Sequence, residues 1–184
     1  MFEHHRNLEL GLHVLFVCTG NICRSPTGER LAAAAADAMK IPQFTAASAG
    51  TRAVVDHPMH PEAARVLESL GGDPSGFAAR QLSPRIAGEA DLLLTMTAAH
   101  RDAVLELAPR QLRKTFTLAE AAVLTAEYEP ASVAELAALR PRLAAHQAAD
   151  VPDPIGRDAA FFAATGARIF ELMQPILTLC LRSS

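Results

Sequence analysis

Cys18 and Arg24 lie six positions apart in VLFVCTGNICRSPTG, residues 14–28, with Cys23 and Ser25 flanking the arginine. The spacing alone is weak evidence, because three cysteines and fifteen arginines in 184 residues give about 0.24 chance matches. The setting adds weight. The first cysteine ends an apolar run, Gly20 and Asn21 permit a tight turn, and Ser25-Pro26 reads as a helix N-cap followed by proline at the first helical position. A loop that leaves a strand and enters a helix can turn its N–H groups inward and, with the helix N-terminus, cradle an anion. Arg24 closes such a cradle with a planar, two-point grip on two oxygens. The same field favours thiolate over thiol at Cys18. The Ser25 hydroxyl has two uses open to it, donating to that sulfur or capping the helix. A thiolate at the base of a phosphate cradle is a nucleophile aimed at phosphorus. Thr19, Gly20, Asn21, Ile22, Cys23 and Arg24 are the expected phosphate-holding residues, with Asn21 also bracing the loop.

The elements that must position this loop follow from pattern. Leu12 to Val17 is a short, β-branched, nearly continuous apolar run and reads as a buried strand. An alanine-rich helix follows to Met39. A second strand spans Phe44 to Ala49, and a helix from Pro61 to Leu70 stops at Gly71-Gly72. Asp91 to Thr95 is a third strand, followed by a helix over Ala98–Leu107 and a fourth short strand over Lys114–Leu118. Alanine-rich segments occupy about 119–127 and 131–147, the second helical despite Pro141. Phe162, Gly166, Ile169, Met173, Ile176 and Cys180 form an apolar stripe on a final helix, which Pro175 should kink. Strands alternating with helices imply one α/β domain in three layers, a four-stranded parallel sheet flanked by helices. Ligands of such sheets bind beyond the carboxyl ends of the strands, where the Cys18 loop lies.

Composition narrows the function. A net charge of −3 gives no basis for binding nucleic acid or an anionic membrane surface. No stretch has the length of a membrane span. The opening residues, with an early acid and a short apolar run, lack the layout of a secretory signal, so the cytoplasm is the expected compartment. Three cysteines make no disulfide framework. A zinc site from Cys18, Cys23, His57 and His60 has no standard spacing and would set Arg24 against the ion, so no metal or cofactor is expected. A nucleotide-binding loop needs a lysine that residues 20–30 do not supply. His4, His5, His13, His100 and His146 read as solvated or capping residues, and Cys180 as core.

VCTGNICRSP at 17–26 resembles the signature of the low-molecular-weight protein tyrosine phosphatases. Ser48-Ala49-Gly50-Thr51 is similar to that family's turn after strand two, Ala79-Arg80-Gln81-Leu82 to its ARQL segment, and Asp91–Met96 to the strand that follows. Asp150-Val151-Pro152-Asp153-Pro154 resembles its acid loop. The resemblance implies a flavodoxin-like domain over 1–184, with an N-terminal extension at 1–11 and an extra helical segment at 125–147. It implies a protein tyrosine phosphatase that works through a phosphocysteine on Cys18, with Arg24 binding phosphate and Ser25, Asn21 and Ser48 in support. Asp153, which directly precedes proline, becomes the general acid/base, ahead of Asp150 and Asp158. Phenolate is a poor leaving group, so such an acid is required. The implied partner is a tyrosine-phosphorylated protein, tyrosine kinases included. A Cys18–Cys23 disulfide under oxidation is also implied.

Three features depart from the pattern. Ile155 stands where relatives carry an aromatic, Phe77 where some carry a histidine, and the 125–147 segment is longer than in small members. Phosphoarginine is the alternative substrate class, although relatives with that activity carry threonine where this chain has Ile22. Arsenate-reducing relatives relay electrons through two further cysteines near 80–90, and here no cysteine lies between Cys23 and Cys180.

Overall fold

The computed structural model describes residues 11–144 and 148–184. Residues 1–10 of the expected 1–11 extension, with His4 and His5, and residues 145–147 of the expected 125–147 segment, with His146, lie outside the described residues. β1 (His13–Cys18) is the spine of the sheet. It pairs in parallel with β2 (Thr45–Gly50) on one side and β3 (Leu92–Thr95) on the other. β4 (Thr115–Thr117) pairs in parallel with β3, giving the order β2-β1-β3-β4. The expected four-stranded parallel sheet is therefore observed, in the doubly wound order whose ligand crevice lies at the end of β1.

Residues of β1 alternate between two cores, which explains the unbroken apolar run. Val14, Phe16 and Cys18 pack into the larger core with Leu31, Ile169 and Met173. Leu15 and Val17 pack into a smaller one with Ile86, Ala87 and Val104. A strand covered on both faces has no side that tolerates polar residues. Each buried large aliphatic or phenyl side chain contributes roughly 1.5–3 kcal/mol. The larger core is covered by α1 (Arg24–Ala38), α2 (Pro61–Ser69), α5 (Leu118–Tyr128) and α7 (Ala159–Arg182), while α3 (Pro84–Glu89) and α4 (Ala98–Leu107) cover the other face.

Several boundaries differ from the sequence reading for identifiable reasons. α1 begins at Arg24 with Cys23 as N-cap and no side-chain cap, because the Ser25 hydroxyl is engaged elsewhere. The six-residue α3 was not expected; Ser83 caps it by accepting from the Ile86 N–H, and proline follows at its first position. α5 starts at Leu118 behind a Thr117/Glu120 capping box. α5 ends at its C-cap Glu129, left-handed at φ 49° and inside the expected gap between 119–127 and 131–147, while the second segment is α-helical only over α6 (Val133–Leu139) and ends in a 3₁₀ turn at Arg140–Arg142 around Pro141. α7 runs from Ala159 to Arg182 as one helix with Pro175 inside it, and all six stripe residues are buried. Gly166 permits the close approach of α2 to α7, since a Cβ there would lie 2.3 Å from Val66 Cγ1.

Candidate active site

The loop after β1 is held from outside by its carbonyls. Thr51 N–H donates to Cys18 O (2.9 Å), Arg52 N–H to Thr19 O (3.0 Å), Val54 N–H to Gly20 O (2.9 Å) and His60 N–H to Ile22 O (2.8 Å). A trans peptide directs its N–H opposite to its C=O. The N–H groups of Thr19, Gly20, Asn21 and Cys23 are thereby turned to the inner side of the loop. The SAGT turn makes this clamp possible, because Gly50 passes so near that a Cβ would lie 2.4 Å from Thr19 O. The left-handed residue of the loop is Asn21, at φ 57°, and not Gly20. Asparagine is among the few non-glycine residues that adopt this conformation readily.

A chain of buried hydrogen bonds reaches the sulfur. The fully buried Asn21 donates through Nδ2 to Ser25 Oγ and to Ser48 Oγ, both at 2.9 Å. Its Oδ1 accepts from the Arg80 N–H at 2.8 Å, which gives the ARQL segment its purpose. Ser48 passes its proton to Glu29 Oε2 at 2.8 Å. A hydroxyl has one proton to give. Ser25 Oγ accepts from Asn21 and lies 2.9 Å from Cys18 Sγ, where the hydroxyl is the donor whenever the sulfur is a thiolate, since a thiolate can only accept. Burial pushes the Glu29 carboxyl above its ordinary range, opposed by the Ser48 hydrogen bond and the charges of Arg30 and Arg80.

The two cysteines of the loop have different chemistry. Cys23 is pushed up to about 12, first by burial and then by the charges of Cys18 and Asp153, with Arg24 opposing. It remains a thiol and does not compete as a nucleophile. Cys180 is likewise raised to about 12 by burial in the α7 stripe. All three cysteines are free.

Arg24 is 5% exposed and ties the loop to a distant segment. Its Nη1 donates to Val151 O at 2.9 Å, and its Nη2 lies 3.6 Å from Asp153 Oδ2. The acid loop is fixed further by Val151 N–H donating to Met96 O (2.8 Å) and Ala98 N–H to Asp150 Oδ1 (2.8 Å). The three aspartates thus part company. Asp150 tethers the loop, Asp158 caps α7 by accepting from the Phe161 N–H, and Asp153 lines the pocket. That pocket, about 270 Å³, is floored by Cys18–Gly20 and Ile22–Arg24 and walled by Arg52, Val54, Asp153 and Ile155.

Sequence reasoning missed Arg52, Val54, Glu29 and His100. His100 is not solvated: it is 7% exposed, and its Nε2 lies 2.8 Å from Thr19 Oγ1. Only the polar N-cap Thr97 before α4 hinted that this turn was special. Of the residues considered for zinc, His60 instead caps α2 through Nδ1 and stacks on Phe162 with centroids 4.9 Å apart. Phe77 lies under the Arg30 guanidinium at 5.6 Å.

A family model described as low molecular weight phosphotyrosine protein phosphatase matches residues 13–180. The chain belongs to this family. Cys18, in the loop after the first strand, fits the position of the catalytic cysteine of these hydrolases. The Escherichia coli low molecular weight protein-tyrosine-phosphatase Etp is 40% identical over 102 residues, covering 55% of this chain and 66% of that protein. The chain thus matches about two thirds of the length of that relative. Among solved structures, the low molecular weight protein tyrosine phosphatase from T. tengcongensis superposes with a TM-score of 0.74 at 29% identity, covering 90% of this chain and 97% of that one. The YwlE arginine phosphatase from Geobacillus stearothermophilus gives 0.71 at 25% identity, covering 90% of each chain.

Proposed function

We propose that the protein hydrolyses phosphotyrosine in protein substrates through a phosphocysteine on Cys18. The observation that carries this reading is the buried Ser25 hydroxyl held by Asn21 at 2.9 Å from Cys18 Sγ, where it can donate to the sulfur as soon as that sulfur is ionised. A hydrogen bond to a charged acceptor contributes about 1.5–3 kcal/mol, against roughly 0.5–1.5 for a neutral one. Ser25 therefore stabilises sulfur most when it carries negative charge, as attacking nucleophile and again as leaving group.

In the first half-reaction the Cys18 sulfur attacks phosphorus and forms the S–P bond while the aryl P–O bond breaks. The inward N–H groups and the Arg24 guanidinium hold the phosphoryl oxygens as charge spreads over them. The protonated Asp153 carboxyl gives its proton to the departing phenolic oxygen. In the second half, Asp153 as carboxylate takes a proton from water as that water's oxygen attacks phosphorus. The S–P bond breaks, thiolate is regenerated and inorganic phosphate leaves.

The aryl group is suited by walls of Ile22, Val54 and Ile155, which are apolar and partly or well exposed around the mouth. An apolar wall favours phosphotyrosine over phosphoarginine, whose guanidino group has donors to satisfy. Partners are accordingly tyrosine-phosphorylated proteins, tyrosine kinases among them. Three free cysteines suit a reducing cytoplasm, and no helix among the described residues is long and apolar enough to cross a membrane. Purified protein assayed on phosphotyrosine, phosphoserine and phosphoarginine peptides tests the reading. Turnover of phosphotyrosine that Cys18→Ser abolishes, with inorganic phosphate binding retained, is the expected result. Preferential turnover of phosphoarginine would replace the substrate, and activity in Cys18→Ser would overturn the mechanism.

A further inference from the structure

His100 is a buried imidazole for which the mechanism above has no use. Its backbone is fixed by its own N–H, which donates to the N-cap hydroxyl of Thr97 at 3.1 Å. Its ring reaches the phosphate loop from the first turn of α4, with Nε2 2.8 Å from Thr19 Oγ1. Nδ1 is buried and has no partner among the described residues. Burial, and then the Arg24 charge, push the ring down to about 4, against the smaller opposing pull of Asp150 and Asp153. At neutral pH it is uncharged and carries one N–H.

The position of that proton follows from the orphaned nitrogen. An Nδ1–H tautomer would bury a donor with no acceptor, and orphaned buried N–H groups are the rarest kind of unsatisfied group. The Nε2–H tautomer leaves only a lone pair bare and gives its proton to Thr19 Oγ1. The Thr19 hydroxyl then keeps its own proton for another acceptor, and none is supplied by the described residues. Thr19 lines the pocket with Cys18 and Arg24.

We propose that His100 is a positioning residue for phosphoryl transfer: by donating Nε2–H to Thr19 Oγ1 it turns the Thr19 hydroxyl proton into the pocket, toward an oxygen of the bound phosphoryl group. The inference rests on the phosphatase reading, adding one neutral donor to the cradle that the backbone N–H groups and Arg24 already supply. It assigns Thr19 a side-chain role beside its backbone one.

Steady-state kinetics on an aryl phosphate, with inhibition by inorganic phosphate measured alongside, tests it. His100→Leu and Thr19→Val should each lower kcat/KM roughly tenfold, the loss of one hydrogen bond of about 1.4 kcal/mol. The double variant should be no slower than the worse single. His100→Gln, whose side-chain amide also donates, should recover most of the loss, as should Thr19→Ser. Wild-type kcat/KM in His100→Leu overturns the inference, and so do losses that multiply in the double variant. Should His100→Leu fail to fold, Thr19→Val carries the test at a half-buried site, where an unchanged kcat/KM is equally contrary. Absence of turnover in the wild type would sink the phosphatase reading itself, a separate outcome.

Discussion

The phosphate cradle and the acid loop face each other across one pocket and are held in opposite ways. In the cradle, Asn21 and Ser25 are wholly buried, Arg24 is 5% exposed, and each side chain has an assigned partner. In the acid loop, the Asp153 side chain is 53% exposed, accepts a local hydrogen bond from the Ile155 N–H at 3.1 Å and meets Arg24 at 3.6 Å. The difference matches the two tasks. Stabilising charge on phosphoryl oxygens needs donors fixed in advance and shielded from water. Moving a proton twice per turnover, once out and once in, needs a group in contact with solvent. Arg24 joins the two, holding Val151 O with one nitrogen while the other faces Asp153, so the acid loop is registered against the cradle by the same guanidinium that the proposed mechanism assigns to phosphate.

The comparison can be broken most decisively at Asp153. Asp153→Asn should slow hydrolysis of phenyl phosphate by about 10²–10⁴-fold and that of a highly acidic phenol's ester far less. A cradle lesion should slow both alike. Equal losses on both esters in Asp153→Asn would erase the division of labour.

The next effect is on stability. The folded state holds His100 at about 4 against an ordinary 6.5, so between those values the unfolded chain binds more protons. Stability attributable to His100 is complete above about 6.5 and is lost as pH falls toward 4, on the order of 3 kcal/mol in all. Glu29, raised by burial, works the other way, stabilising at low pH and losing that contribution as pH rises through its folded value. Comparing urea midpoints of wild type and His100→Gln between pH 7 and pH 4.5 isolates the imidazole, and the variant should lose less stability on acidification. Parallel curves would contradict the assignment.

Asn21→Ala removes two donors and one acceptor from the buried brace and should cost about 1–3 kcal/mol of stability, with kcat/KM falling on all aryl phosphates alike. A smaller effect is expected at the mouth. Ile155→Phe should lower KM for aryl phosphates by a factor set by roughly 0.5–1.5 kcal/mol of ring packing, leaving phosphate inhibition unchanged. If phosphate binding shifts as well, the wall and the cradle are not separable.

Much of the cradle was readable because it is contiguous. Cys18, Asn21, Arg24 and Ser25 sit within eight residues, between an apolar run and an alanine-rich helix whose patterns are strong. Contacts made by the fold were not readable. His100 looks solvated in sequence because its partner Thr19 lies 81 positions away, and only β1–β3 pairing brings α4 beside the loop. For Ser25 the sequence left two uses open, the Cys18 sulfur or the helix cap, and the choice depends on the buried Asn21 amide that holds the hydroxyl, a contact not legible in the sequence. α3 was missed because six residues are too few to show a period. The gap between the two alanine-rich segments was legible and holds the left-handed Glu129, whereas the shortness of the second helix was not, since it stops at Leu139 just before Pro141.

The central claim is that Cys18 itself carries the phosphoryl group between the two half-reactions. Rapid quenching of turnover on an aryl phosphate, followed by mass spectrometry of the peptide spanning residues 14–30, measures this directly. The account predicts a phosphoryl adduct on Cys18 that decays as inorganic phosphate appears and is absent in Cys18→Ser. Turnover with Cys18 unmodified throughout, or an adduct on another side chain, would contradict it.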